Sequence, residues 1–359
     1  MTWFPTAAED QTCVFCEYLT RITDITEDTE SGFEYYVARY PLFTHAAMTW
    51  GRHAFQAFGQ EQNLRESRSY KVVKVFLHSP RTVQFVIETL RRNIKLVWNR
   101  LPKQSFSRYW TSLHLATFFG LTEIVKDFLS ENGGMANVAA RGGDSLVSLA
   151  AACGYRPTLD FVLGDNVNAN RRKFDEALLG AAQAGNRDIS RMVLGYGADP
   201  TKSAPLFIAS RDGHEDIVRL LLNATPGLVK PVHGESVLVA NKNGHSNIVR
   251  FFFERGAAMY ANFGKLLSAT IKRRDKDMAR FLLGVLPRRG AVEPEEITEL
   301  LFLAIAEDDV SMVELLLEHG ANTQGRNQDG LTPREVAYER NQDDIQKAIA
   351  SWEKKRRSR

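Results

Sequence analysis

The sequence predicts an all-α solenoid, about eight helix–turn–helix repeats stacked behind a helical N-terminal region. Three observations carry this expectation. The stretch TSLHLATFFGLTEIVKDFL at 111–129 recurs down the chain, and alignment on its Gly120 picks out Gly154, Gly185, Gly213, Gly244, Arg274, Asp308 and Asn341, at spacings of 34, 31, 28, 31, 30, 34 and 33 residues. Each copy holds two short apolar runs at helical spacing, divided by glycine or a substitute. The first 105 residues fall outside the period but keep helical apolar patterns, as in YKVVKVFL at 70–77 and VQFVIETL at 83–90.

Taken in order, residues 1–105 read as a helical connector that caps the array, because a solenoid needs its first apolar face shielded. Cys13 and Cys16 lie in this region, in an apolar helical context, and read as small buried hydrophobes. Residues 106–350 form the repeat array. A glycine between two helices takes a left-handed C-cap without penalty, and Gly197-Ala198, Gly256-Ala257 and Gly320-Ala321 mark the ends of second helices. Thr332 is a good N-cap, with Pro333 at the first helical position, and Pro205 serves the same way in the fourth repeat. The pairs Ala150-Ala151 and Ala181-Ala182 allow close helix approach, and the triplets Leu220–Leu222 and Leu315–Leu317 supply the seam between units. Residues 351–359 are expected to form a disordered basic tail.

These residues resemble the ankyrin repeat. The likeness rests on TSLHLAT at 111–117, APLFIAS at 204–210, GHEDIVRLLL at 213–222 and DGLTPREVA at 329–337, and it covers about residues 109–350. It implies protein recognition on a face made by the turns and first helices. It also implies that His114, which occupies the histidine position of the ankyrin helix start, is a structural hydrogen-bonding residue. Upstream, Tyr40, Pro41, Leu42, Ala46, Ala47, Trp50 and His53 resemble the connector that precedes the array in fungal NACHT-ankyrin proteins of the STAND class. That resemblance implies the sensor half of such a protein without its NTPase.

Chemistry-bearing patterns are sparse. HEDIV at 214–218 lacks the second histidine of a zinc-protease helix, and the lone Cys-x-x-Cys at 13–16 has no second ligand pair, so no metal is expected. No phosphate loop and no Gly-x-Ser-x-Gly elbow occur, and no cofactor is expected. Three cysteines in 359 residues argue against a disulfide framework. The net charge is +3, but the C-terminal EKKRRSR carries +4 and the rest of the chain sums to −1, so a nucleic-acid surface is not expected. The chain shows no run of 18 apolar residues and no basic-then-apolar start. Together these point to an intracellular protein, cytoplasmic or nuclear.

The expected function is therefore non-enzymatic: a scaffold or sensor that binds a protein partner on the concave face. The two residues before each unit's inter-helix position lie nearest that face, and the candidates are Phe118, Phe119, Arg211, Asp212, Lys242, Asn243, Lys272 and Arg273. Lys242, Lys272, Arg273 and nearby Lys265 suit an acidic partner. Two alternatives stay open, an accessory protein of a fungal biosynthetic gene cluster and a hydrolase-type enzyme built on Cys16, Glu17, His45 and His53.

Overall fold

The computed structural model describes residues 7–25, 38–61, 63–93, 109–131, 145–164, 171–201, 205–224, 234–256, 262–285 and 294–357. Every regular element among them is helical. The chain divides into two compact units, Met1–Pro205 and Leu206–Arg359.

In the first unit, four α-helices among the described residues precede the repeats, α1 (Ala7–Ile25), α2 (Phe43–Phe58), α3 (Arg68–Leu77) and α4 (Pro80–Arg92), with a 3₁₀ turn at Leu64–Glu66 before α3. Ser67 and Ser79 cap α3 and α4, their hydroxyls accepting from Tyr70 N–H at 3.2 Å and Thr82 N–H at 3.5 Å. Leu19, Phe43, Trp50, Val73, Val86 and Leu90 form their core, each with no exposed surface. Cys13 and Cys16 are buried free thiols in the same core. Three helix pairs follow, α5 (Ser112–Phe118) with α6 (Thr122–Glu131), α7 (Leu146–Cys153) with α8 (Arg156–Leu163), and α9 (Arg171–Ala184) with α10 (Arg187–Gly195). The N-terminal helices and these three pairs share one compact unit, so residue 105 is not a break between bodies.

An aromatic seam explains this. Trp50 of α2 lies 4.7 Å from Phe76 and 5.0 Å from Phe119, ring centre to ring centre, and Phe119 lies 4.8 Å from Phe118. Phe119 sits directly over Gly51, where any Cβ would collide with its ring. A polar margin runs alongside. The Tyr70 hydroxyl donates to Asp127 at 2.6 Å, Arg65 reaches the same carboxylate at 2.8 Å, and Lys74 pairs with Glu131 at 2.6 Å. Burial alone would raise the Asp127 carboxyl, but hydrogen bonds from Tyr70 and Lys74 and the charges of Arg65 and Lys74 outweigh it and hold it below its ordinary value.

In the second unit the pairs are α11 (Pro205–Asp212) with α12 (Glu215–Ala224), α13 (Gly234–Lys242) with α14 (Ser246–Glu254), and α15 (Phe263–Lys272) with α16 (Lys276–Val285). They continue with α17 (Pro294–Ala306) and α18 (Val310–Glu318), then α19 (Pro333–Glu339) and α20 (Asp343–Arg357). Thr332 and Glu335 form a reciprocal capping box at the start of α19. Helix α20 runs through residues 351–357, which corrects the expectation of a disordered tail there. Trp352 is half-buried and Gln324 donates to Glu353 at 2.9 Å, which anchors the extra turns.

All eight aligned positions lie in the left-handed region. The five glycines have φ between 73° and 86°, and Arg274, Asp308 and Asn341 have φ of 54°, 54° and 57°. Among the described residues these three are the non-glycine residues with positive φ. At every one, the following N–H donates to the carbonyl four residues before the turn, from Leu121 to Ala116 at 2.9 Å through Asp275 to Thr270 at 3.2 Å and Gln342 to Ala337 at 2.9 Å. This six-residue closure satisfies a helix carbonyl that would otherwise be orphaned. His114 packs beneath the first turn as a fully buried side chain, its Nδ1 accepting from the Thr111 N–H at 3.2 Å.

Neighbouring turns are tied sideways. Asn243 donates to the Arg211 carbonyl at 2.8 Å, Gln342 to Ile305 at 2.9 Å, and Arg273 and Arg274 reach the carbonyls of Asn241 and Glu307. Inside the stack, Asn241 is 1% exposed and donates to the Leu266 carbonyl at 2.8 Å. The last pair differs from the rest. Seven residues before the turn, Leu206, Val237, Leu267 and Leu301 are buried, whereas Arg334 is exposed. Three residues before it, Ile271 and Ile305 are buried, whereas Tyr338 is 72% exposed.

This packing makes two outcomes measurable. A Cβ at Gly180 would fall inside the Ser148 carbonyl, whereas one at Gly197 would meet nothing within 4 Å and suffer only from its φ of 93°. Gly180→Ala should cost about 1–3 kcal/mol, as overpacking does, and Gly197→Ala about 1 kcal/mol, as left-handed strain does; urea unfolding compares them. Because Asp127 is held below its ordinary value of 3.8, its stabilisation is complete above that pH and is lost as pH falls below it. Acid titration followed by tryptophan emission should therefore show a transition that Asp127→Asn weakens.

Candidate partner-binding face

Counting back from the left-handed residue puts equivalent side chains of the second unit in register. Positions six and five before it are Phe207 and Ile208, Leu238 and Val239, Ser268 and Ala269, Phe302 and Leu303, then Glu335 and Val336. All but the exposed Glu335 are half-buried, so a row of apolar and small side chains crosses successive first helices without a cover of its own. Position two before the turn edges this row with Arg211, Lys242, Lys272, Ala306 and Glu339.

Lys242, Lys265, Ser268, Ala269, Lys272 and Arg273 line a cavity of about 420 Å³ on α13 and α15. Lys265 and Lys272 stand two turns apart on one face of α15, with the small residues Ser268 and Ala269 as floor between them. Lys242, Lys265 and Lys272 are exposed and make no ion pair among the described residues. Their ammonium groups are point charges on flexible stems, suited to carboxylates approaching from solvent.

The other sequence candidates are engaged within the fold. Arg211 and Asp212 pair with each other through two bonds of 2.7 and 2.8 Å. Asn243 is committed to the Arg211 carbonyl, and Arg273 to Asn241 and, at 3.3 Å, to Asp275. Phe118 and Phe119 are 0% and 3% exposed, which removes them from any docking face. Phe119 receives Trp50 of α2, and Phe118 packs against Phe119 and, at 5.6 Å, Trp110.

A second cavity, of about 610 Å³, was not foreseen. It lies between α17 and the turn at 322–331, with Glu295, Glu299 and Phe302 on one side and Arg326 and Asp329 on the other. Its signal was present in the register, since Glu299 and Phe302 occupy the positions of Lys265 and Ser268 one unit later.

Of the groups of the enzymatic alternative, Cys16 is buried, Glu17 and His53 are half-buried and His45 is exposed. Burial pushes the Cys16 thiol well above its usual range, with the charges of Cys13 and Glu17 adding to it. Activated cysteines show the opposite shift. Glu17 is bonded to Arg68 at 3.0 Å. The rings of His45 and His53 lie 5.6 and 5.7 Å from Phe15, and burial, then His45 and Arg52, hold His53 below its usual value. Among the described residues, no three His, Cys, Asp or Glu side chains are grouped to hold a metal, and no helix is long and apolar enough to cross a membrane.

Comparison with known proteins bears on the repeats. The family described as ankyrin repeats (3 copies) matches residues 147–229 and 178–263, and the ankyrin repeat family matches 108–143. No curated protein matches the chain. Among solved structures, the human ASB11 ankyrin repeat domain is 18% identical, with a TM-score of 0.37, over 68% of this chain and 98% of that one.

The contrast between seam and face is measurable by unfolding. Phe119→Ala should cost about 3–5 kcal/mol, as removal of a buried aromatic does, while Lys272→Ala should stay within about 0.5 kcal/mol, as an exposed unpaired residue does.

Proposed function

The chain carries ankyrin repeats, and we propose that it is a non-enzymatic recognition module holding a protein partner with an acidic surface on the first-helix face of its second compact unit. Ankyrin repeats are generally protein–protein interaction modules, and their extended binding surfaces come from stacking. The observation that carries the reading is the cavity on α13 and α15, where three lysines without ion-pair partners among the described residues edge a half-buried apolar row. Apolar anchors surrounded by polar groups give an interface its affinity, and the lysines set approach rate and partner sign.

A second reading is that the array is the sensor half of a NACHT-type protein. The likeness of residues 40–53 to that family's connector favours it. Ala46, Ala47 and Trp50 of this segment are fully buried, with Trp50 in the seam that joins α2 to the first repeat.

The test of the first reading uses the intact chain and a fluorescent peptide of glutamates flanking leucines. Binding should weaken steeply as salt rises, and Lys242→Glu, Lys265→Glu and Lys272→Glu together should reduce it at least about tenfold, with unchanged circular dichroism. Binding that ignores both salt and the triple variant would remove the lysine cavity from the reading.

A further inference from the structure

We infer that the partner segment is charge-segregated: an acidic stretch over α13 and α15, followed across the same face by a basic stretch over α17 and α19. This rests on the reading above and specifies the second half of the bound segment.

Register aligns the two charge sets. Lys265 and Glu299 are both nine residues before their turns, so they occupy the same place on consecutive first helices. Along the position two before the turn, Lys242 and Lys272 give way to Ala306 and then to Glu339. The surface therefore changes sign between α15 and α17 while its geometry repeats.

The change of sign is not neutralised internally. Lys242, Lys265 and Lys272 on one side, and Glu295, Glu299 and Glu339 on the other, make no ion pairs among the described residues, though the same unit pairs Arg211 with Asp212 and Arg219 with Glu215. Lys242, Lys265 and Lys272 face a cavity of about 420 Å³, and Glu295 and Glu299 face one of about 610 Å³.

The acidic cavity has a feature that solvated carboxylates alone would not give. Phe302 stands half-buried between α17 and the turn at 322–331, one helical turn from Glu299. An aromatic face beside carboxylates suits a guanidinium or ammonium group, which gains both ion pairing and a cation–π contact. The far wall is held in place. Asn322 N–H donates to Thr298 at 3.1 Å, Leu331 N–H donates to the Asn327 side chain at 2.9 Å, and Arg326 is tied to the Gly330 carbonyl. Ordering cost on binding is correspondingly small on that side.

The length of the segment follows from the stacking. First helices pack about 8–10 Å apart, so the span from α13 to α19 is about 30 Å. An extended chain covers it with about nine residues at roughly 3.3 Å each.

Three fluorescent peptides test this on the intact chain. The first has the sequence EEEELALAKKKK. The second, EEEELALAQQQQ, replaces the lysine run with glutamines. The third, QQQQLALAKKKK, replaces the glutamate run with glutamines. The first should bind about tenfold tighter than the second, as added complementary charge pairs allow. Glu295→Lys with Glu299→Lys should erase that advantage and leave the second peptide's affinity unchanged. Equal affinity of the first two peptides, or an advantage that survives the double variant, overturns the inference while leaving the lysine cavity intact. Loss of all lysine-dependent binding of the second peptide overturns the function proposed above instead, and the third peptide then reports on the acidic half alone. Failure of all three to bind folded protein overturns both.

Discussion

Between the two helices of each pair one residue turns the chain through the left-handed region, and the stacking of the pair depends on where that residue falls. At that point the first helix must end, reverse and release its last carbonyls without leaving them unpaired. The six-residue closure onto the carbonyl four positions back does this at all eight turns. The residue supplying that carbonyl is alanine in seven repeats and Thr270 in the other, because a larger side chain there would hold adjacent first helices apart. Conformation at the turn and close approach in the stack are thus the same constraint seen from two sides.

The constraint outlasts the residue that satisfies it most easily. Arg274, Asp308 and Asn341 accept a positive φ that glycine adopts without cost. Asn and Asp tolerate it through their short polar side chains, but Arg274 has no such allowance. Its guanidinium instead reaches the Glu307 carbonyl of the next turn. The residue that makes the turn least comfortable therefore also ties it to its neighbour, and side chains of Asn243, Arg273 and Gln342 do the same elsewhere.

The repeat was legible because its signal is periodic. Arg274, Asp308 and Asn341 were placed at the turn by spacing alone, without a glycine to mark them, and the lysines of α13 and α15 came together for the same reason. Phe118 and Phe119 defeated the same logic. What covers Phe119 is Trp50 and Gly51, nearly seventy residues earlier and outside the period, while Phe118 packs against Phe119 and Trp110, so the repeat pattern alone does not distinguish a covered edge from an open one. The acidic cavity was missed for a different reason. Half of it comes from the turn at 322–331, whose shape is set by the hydrogen bonds that the Asn322 N–H donates and the Asn327 side chain accepts rather than by hydropathy. The tail was misjudged because a run of like charges reads as frayed, while the half-buried Trp352 and the Gln324–Glu353 bond extend the helix through it.

The seam between α2 and the first repeat bears on how such a gene can change length. Interior repeats present similar small and apolar edges on both sides, so unequal recombination can add or delete one and leave its neighbours with an acceptable surface. The first repeat has no such freedom, because Phe119 fits Trp50 and the bare backbone of Gly51, while Phe118 packs against Phe119 and Trp110. The last pair, with an exposed Arg334 where the others of its unit bury leucine or valine and an exposed Tyr338 where they bury Ser210, Asn241, Ile271 and Ile305, is equally unsuited to an interior place. Variation in repeat number among descendants of this chain should therefore be confined to the middle of the array, with both ends inherited intact.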